Sequence, residues 1–139
     1  MILLTPDLRF ALRANDLARR AAARDGKPEP DPVPVVKLFN PVGAATWLAT
    51  ELWDDGDTLF GMTDLGFGTP ELGPFSLSEL AGLGLPYGLG IERDTCFEST
   101  FPLSIWAAWA RRAGSILWAE TLLRRAVQSG ADPAISPPE

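Results

Sequence analysis

Histidine is absent from the 139-residue sequence, and cysteine occurs once, as Cys96. Without histidine, the Ser-His-Asp and Cys-His systems that activate a nucleophile cannot be assembled. A zinc site of the usual kind needs several cysteine and histidine ligands and is excluded for the same reason. A metal bound by this chain would therefore be a hard cation such as Mg²⁺, Mn²⁺ or Ca²⁺, held by oxygen atoms. A single cysteine forms no internal disulfide, and we expect a cytoplasmic protein.

Long apolar runs are absent as well. No window approaches the ~20 uncharged apolar residues of a membrane-spanning helix. The opening run MILLTPDLRF has no basic segment before its apolar residues and is interrupted by Pro6 and Asp7, which is not typical of a secretory signal. A chain of this length with 46% hydrophobic residues fits one globular domain. We expect that domain to span residues 1–129 and a disordered tail to follow at 130–139.

The charges are unevenly distributed along the chain. Residues 1–27 carry six basic and three acidic side chains, residues 28–101 carry two and twelve, and residues 102–139 carry four and three. The middle segment therefore has a net charge of −10, within a total of −6. Such a segment repels a nucleic-acid backbone and attracts a basic protein surface or a cation. A solvated acidic face that keeps the protein soluble is the simpler alternative.

The N-terminal region is predicted to be an amphipathic helix. Thr5-Pro6-Asp7 combines an N-cap residue, a proline suited to the first turn and an acid suited to the positive end of the helix. The helix should extend to about Arg24, with an apolar face that Phe10 and Leu17 widen. The opposite side is lined by Arg9, Arg13, Asp16 and Arg20.

The remaining pattern predicts an α+β fold. Strands are expected at 35–39, 45–52, 58–64, 71–75 and within 85–95, with a hairpin loop at Trp53-Asp54-Asp55-Gly56-Asp57. Alternation in the second strand would place Leu52 on the side opposite Trp47. Ser76 and Glu79 match a capping box that opens a short helix. A small, mostly antiparallel sheet over about 35–97 is then packed by the N-terminal helix and by a long C-terminal helix over about 102–128, kinked or broken at Gly114.

The glycine-rich run TLFGMTDLGFGTPELGPFSLSEL, residues 58–80, raises the question of a ligand site. It does not match a phosphate loop, because no lysine follows the glycines and Pro70 and Glu71 stand there instead. A metal site is the second possibility, since several carboxylates could converge if their strands pair. The candidate ligands for Mg²⁺ or Mn²⁺ are Asp64, Glu71, Glu92 and Asp94. The simplest interpretation is that the run turns the chain from strand to strand to helix.

Three longer segments carry a family resemblance: VVKLFNPVGAATWLATEL, DTLFGMTDLGFGTPELGPFSLSEL and LPYGLGIERD. Over roughly Val35 to Phe97, with a weaker echo at LLTPDLRFALRAN, the chain resembles a bacterial family known only as domain of unknown function 2958. The resemblance implies an origin among plasmid, conjugative-element and other mobile-element genes. It transfers no catalytic residue or ligand. Relatives often have a histidine near the position of Cys96, so a site that depends on that position would be absent here.

The favoured hypothesis is a non-enzymatic, acidic accessory protein of a mobile element that binds a protein partner. The partner would have a basic surface, as a host-defence or nucleic-acid-handling complex does, and binding would block it. The binding residues would be the acids of the exposed hairpin with an aromatic anchor beside them, namely Asp54, Asp55, Asp57 and Trp53. We expect no cofactor and no membrane contact under this hypothesis.

Two alternatives remain open. The first is a divalent-metal phosphodiesterase acting on nucleic acid, which would use the four candidate carboxylates with Mg²⁺ or Mn²⁺ and grip the backbone with helical arginines. The second is a subunit of a larger conjugation or plasmid-maintenance assembly, or a homo-oligomer. Under this alternative Trp106 or Trp109 would lie exposed at an interface, whereas burial of both under the sheet is the favoured interpretation.

Overall fold

The computed structural model describes residues 1–134 and contains four helices and five strands in that part of the chain. The helices are α1 (Pro6–Arg24), α2 (Leu77–Ala81), α3 (Leu103–Ala113) and α4 (Ile116–Gln128). The strands are β1 (Val36–Phe39), β2 (Thr46–Leu52), β3 (Thr58–Asp64), β4 (Glu71–Ser76) and β5 (Glu92–Arg93). A single 3₁₀ turn, Pro86–Gly88, precedes β5. None of the helices in residues 1–134 is long and apolar enough to span a membrane.

All five strands form one antiparallel sheet in the order β4-β3-β2-β1-β5. The expected α+β class with a small antiparallel sheet is therefore confirmed. Helix α1 covers one face through a core that includes Leu12, Leu38 and Leu59. Helices α3 and α4 cover the other face through a second core that includes Leu48 and Trp106. The sheet thus separates two apolar layers, because its central strands are buried on both faces.

A β-bulge in β2 changes the side on which its last residues lie. Ala49 is opposite Gly61 and Glu51 is opposite Phe60, so the register shifts at Thr50 between them. The extra residue breaks the alternation. As a result Leu52 joins the same core as Trp47, and the prediction that these two side chains lie on opposite sides is wrong.

The C-terminal helical region is two helices. Gly114 ends α3 with φ +82°, a left-handed conformation that glycine adopts without strain. Ser115 then starts α4 by accepting a hydrogen bond from the backbone N–H of Trp118 at 2.9 Å. The chain reverses there, and α4 packs against α3. The predicted break at Gly114 is confirmed.

The tail predicted at 130–139 is partly packed. Pro133 is buried, and its carbonyl accepts a hydrogen bond from Nε1 of Trp109 at 3.2 Å. Pro133 is thus packed against Trp109 of α3, whereas Gly130, Asp132 and Ala134 are exposed. The rest of the predicted tail, 135–139, lies outside the described residues.

Several large side chains have exposures that bear on the sequence-based expectations. Trp106 and Trp109 are both buried, at 3% and 5% exposure, as the favoured interpretation expected, and Trp118 of α4 is more exposed, at 47%. On α1, Phe10 and Leu17 point away from the sheet, at 77% and 57% exposure. The helix contacts the sheet through a narrower face than its apolar pattern indicated.

Candidate functional site

The predicted binding hairpin, residues 53–57, is closed by hydrogen bonds of its own acidic side chains. The backbone N–H of Trp53 donates to the carbonyl of Thr58 at 2.8 Å. One Asp55 carboxylate oxygen accepts the N–H groups of Asp57 and Thr58 at 2.9 and 2.8 Å, and the other accepts the Thr58 hydroxyl at 2.5 Å. These bonds, the Thr58 hydroxyl first, lower the pKa of Asp55 below its ordinary value.

Asp57 joins the hairpin to the start of α2. Its carboxylate accepts the Ser76 hydroxyl at 2.7 Å and the backbone N–H of Ser78 at 2.8 Å. Its main-chain carbonyl accepts the N–H of Leu77 at 2.9 Å. The hydrogen bonds from Ser76 and Ser78 lower the pKa of Asp57. The hairpin tip and the N-terminal end of α2 therefore form one rigid unit, which we call the acidic platform (residues 53–57 and 76–79).

The acidic platform has two carboxylates that make no hydrogen bond within it, those of Asp54 and Glu79. Both residues are exposed, and their carboxylates have no hydrogen-bond or salt-bridge partner among residues 1–134. Trp53 is only half-exposed, and its Nε1 donates to Glu51 at 3.2 Å. The predicted aromatic anchor is thus tied to its own strand.

Beneath the hairpin lies a buried ion network that the helical pattern did not predict. Asp16, expected on the outer side of α1, is fully buried and accepts hydrogen bonds from Arg13 at 2.7 Å and from Arg20 at 2.9 Å. Arg19 donates to both oxygens of buried Glu51 at 3.0 and 2.9 Å, and this raises the pKa of Arg19. The spacing of three and four residues between Asp16 and its arginines was the sequence feature that could have predicted this network, because residues so spaced are neighbours on a helix.

The first candidate metal ligand, Asp64, acts as a connector between β3 and α4. It is 1% exposed, and its two oxygens accept the backbone N–H groups of Gly66 at 2.8 Å and Ile116 at 2.9 Å. Ile116 is the first residue of α4, where N–H groups lack partners within the helix and favour a negative charge. Asp64 therefore satisfies the start of the helix that covers its face of the sheet.

The other three candidates do not gather around Asp64. Glu71 is exposed at the start of edge strand β4, whereas Glu92 lies in β5 at the opposite edge of the sheet. The pairings Asp64–Thr46, Thr46–Phe39 and Phe39–Glu92 separate Asp64 from Glu92 by three strand spacings, about 14 Å. Residues 1–134 contain no group of three or more acidic or cysteine side chains placed to hold a metal. The predicted four-carboxylate site is not assembled.

Asp94, the fourth candidate, instead belongs to a cluster around Lys37 that sequence analysis missed. Lys37 is only 6% exposed, and its Nζ donates to Oε1 of Glu120 at 3.0 Å and lies 3.4 Å from Oδ2 of Asp94. The backbone N–H of Asp94 donates to the Lys37 carbonyl at 3.0 Å, which continues the pairing of β5 with β1. A charged residue inside the apolar strand VVKLF was the available signal, because a buried charge requires partners.

Two open cavities adjoin this cluster. One, of about 430 Å³, is lined by Lys37, Glu92 and Asp94 of the sheet edge and by Leu117. The second, of about 570 Å³, lies between the segment 94–101 and helices α3 and α4, and we call it the aromatic cleft. Asp94 lines both, so the Lys37 cluster stands between them.

The arginines proposed to grip nucleic acid lie on both sides of the molecule. Arg9, Arg13 and Arg20 belong to α1 on one face of the sheet, and Arg13 and Arg20 are bound to Asp16. Arg111, Arg112, Arg124 and Arg125 belong to α3 and α4 on the other face. The two groups do not form one continuous basic stripe.

Comparison with known protein families assigns the chain to one family. The family described as "Protein of unknown function (DUF2958)" matches residues 3–117, and the chain belongs to this family. The resemblance noted in the sequence is thereby confirmed. The match includes the acidic platform, Lys37 and Asp94, and ends at the second residue of α4, before Glu120. Comparisons with curated proteins and with solved structures give no match.

Proposed function

We propose that the protein is a non-enzymatic, protein-binding accessory protein whose acidic platform docks onto a basic surface of a partner. The observation that carries the proposal is the double role of Asp57, which holds the hairpin tip and α2 together. Because of this link, the acidic platform is preorganised, and Asp54 and Glu79 project from it.

Preorganisation favours binding because fewer side chains and loop conformations must be ordered in the complex. Asp55 and Asp57 already use their carboxylates inside the platform, and the hydrogen bonds that hold them there favour the ionised form and lower their pKa values. They therefore contribute negative charge without needing to move. Their negative charge adds to that of Asp54 and Glu79 at the surface.

The charge of the chain supports a basic partner. Residues 28–101 have twelve acidic and two basic side chains, and this segment includes the whole platform. Complementary charges accelerate association and select partners more than they increase affinity. Proteins that bind nucleic acid present basic surfaces, so we propose that the partner is a nucleic-acid-handling or host-defence complex of the cell that carries the element.

The test replaces the exposed acids and spares the structural ones. The double variant Asp54→Lys/Glu79→Lys should fold normally, because neither carboxylate has a partner among residues 1–134, and should lose the partner in affinity capture. The matched control is Glu71→Lys, an exposed acid at the far end of β4. Recovery of one nucleic-acid-handling complex by the wild type and the control, but not by the double variant, supports the proposal.

Replacing Asp55 or Asp57 would not be a clean test, because each accepts hydrogen bonds that shape the platform. If the double variant and the wild type capture the same complex equally well, the platform is not the binding surface. Reconstitution of the captured complex with purified protein then measures the affinity of each variant directly.

A further inference from the structure

The aromatic cleft combines an apolar wall with acidic residues at its rim. Its wall is formed by Phe97, Phe101, Trp106, Leu123 and Val127, and its acidic residues are Asp94, Glu98 and Glu120. Phe97 and Trp106 pack with ring centroids 6.1 Å apart. A concave site with an apolar wall and a few polar groups is the usual form of a ligand pocket.

The cleft is held open by hydrogen bonds of its own segment. The Trp106 Nε1 donates to the Ser99 hydroxyl oxygen at 2.8 Å, and the Ser99 hydroxyl donates to the carbonyl of Phe101 at 3.2 Å. At the other end, Asp94 accepts the backbone N–H of Cys96 at 2.9 Å. The segment 94–101 therefore keeps its shape without an occupant.

The charges around the cleft leave one negative charge without a cation. Three carboxylates, those of Asp94, Glu98 and Glu120, line the cleft with one cation, Arg124, and Lys37 lies in the neighbouring cavity. Lys37 contacts Asp94 and Glu120, and Arg124 approaches Glu120 at 4.0 Å. Glu98 is exposed, and its carboxylate has no partner among residues 1–134. Glu98 is thus the carboxylate left to pair with an occupant, and a cationic group complements it.

We propose that the aromatic cleft takes one arginine side chain, with its apolar neighbours, from the protein partner. A guanidinium is planar, stacks on aromatic rings and pairs with carboxylates through two parallel hydrogen bonds, so it suits Phe97 and Phe101 beside Glu98 and Glu120. The inference rests on the proposed function in that it supplies a second contact for the same basic partner.

The test uses the tripeptide N-acetyl-Leu-Arg-Leu-amide as the probe and isotope-labelled full-length protein as the receptor. Binding is followed by amide chemical-shift changes, which report weak affinities residue by residue. We expect saturable shifts in the segment 94–101 and in α4. The matched peptide with citrulline, which has the same shape and no charge, should bind about tenfold more weakly.

Two variants separate this site from general attraction to an acidic protein. Glu98→Gln should weaken the arginine peptide by about fivefold, and Glu71→Gln, which removes the same charge elsewhere, should leave its affinity unchanged. Spectra of both variants outside the cleft should superimpose on the wild type, which shows that the fold is intact. Asp54→Lys/Glu79→Lys should bind the peptide as the wild type does, so failure of the platform and failure of the cleft are distinguishable.

Several results would overturn the assignment. Equal binding of the citrulline peptide would mean that the cleft takes a neutral apolar segment, and tighter binding of the matching glutamate peptide would mean an anion. Shifts at the cleft that depend on protein concentration without peptide would mean that a second copy of the chain occupies it. No saturable shift at millimolar peptide, or an unchanged affinity in Glu98→Gln, would also refute it.

Discussion

Asp64 provides the sharpest test of the structural reasoning, because the sequence proposes it as a metal ligand and the structure makes it a connector. Replacing it with alanine removes the acceptors of two backbone N–H groups, those of Gly66 and Ile116. Asp64 is 1% exposed, so solvent does not readily take its place. A hydrogen bond to a charged group contributes about 1.5–3 kcal/mol, and losing both predicts a cost of about 3–6 kcal/mol.

The loss of stability should depend on how many hydrogen-bond acceptors remain at position 64. Asp64→Asn keeps one oxygen and turns the other acceptor into a donor, so we expect about half the cost or more, at least about 1.5 kcal/mol. Glu71→Ala, a matched loss of an exposed carboxylate, should change stability by less than about 0.5 kcal/mol. Chemical denaturation with urea, read by tryptophan fluorescence, measures the free energy of unfolding of all four proteins.

The outcome that refutes this reasoning is a cost below about 1 kcal/mol for Asp64→Ala, which would mean that the two N–H groups find other partners. The same samples test the metal hypothesis. If Asp64 were a ligand, millimolar Mn²⁺ would stabilise the wild type and not the variant. We expect Mn²⁺ to shift neither.

Three further predictions concern the sheet, the platform and metal binding. A Cβ on Gly61 would lie 1.8 Å from the carbonyl oxygen of Leu48, and the other atoms near it are also backbone atoms that cannot move aside. Gly61→Ala should therefore lower the free energy of unfolding by about 3 kcal/mol or more in the same denaturation assay. Gly73, the residue paired with Gly61, has open space around it, so Gly73→Ala should change the stability little. Asp55 and Asp57 have lowered pKa values in the folded state, so their contribution to stability is complete above their ordinary pKa of 3.8 and is lost as pH falls through the lower folded values. The melting temperature should therefore decline less steeply at acid pH in Asp55→Asn and Asp57→Asn than in the wild type. Parallel curves of melting temperature against pH would contradict this. The melting temperature of the wild type should not change with millimolar Mg²⁺, and a saturable rise would contradict this by showing that the folded state binds the metal.

Local signals along the chain predicted the elements and several of their ends. Thr5 and Ser76 accept hydrogen bonds from the first turns of α1 and α2, and Gly114 ends α3. Each of these features depends on residues within four positions of one another, and this is why composition and spacing predict it. The hairpin over 53–57 and the antiparallel strands flanking it follow from the same short-range turn chemistry.

The side on which β2 residues lie was not predictable in the same way. The bulge at Thr50 depends on how β2 meets β3, where Gly61 allows the Leu48 carbonyl to approach. Sequence alternation assumes an unbroken ladder, so one extra residue moves Leu52 to the other face. The glycine in TLFGMTD was visible, but the close contact that requires it was not.

The length, the missing histidine, the charge distribution and the order of helices and strands are properties of the chain itself, and from them follow the α+β class, the excluded nucleophile chemistries and the acidic middle segment. The partners of individual charges came from long-range packing. Lys37 meets Glu120 across 83 positions, and Asp64 meets Ile116 across 52, because the sheet and α4 bring distant segments together. The sequence does not distinguish a carboxylate that faces water from one that binds a metal or the end of a helix. Its role depends on which hydrogen-bond donors the fold places within about 3 Å of it.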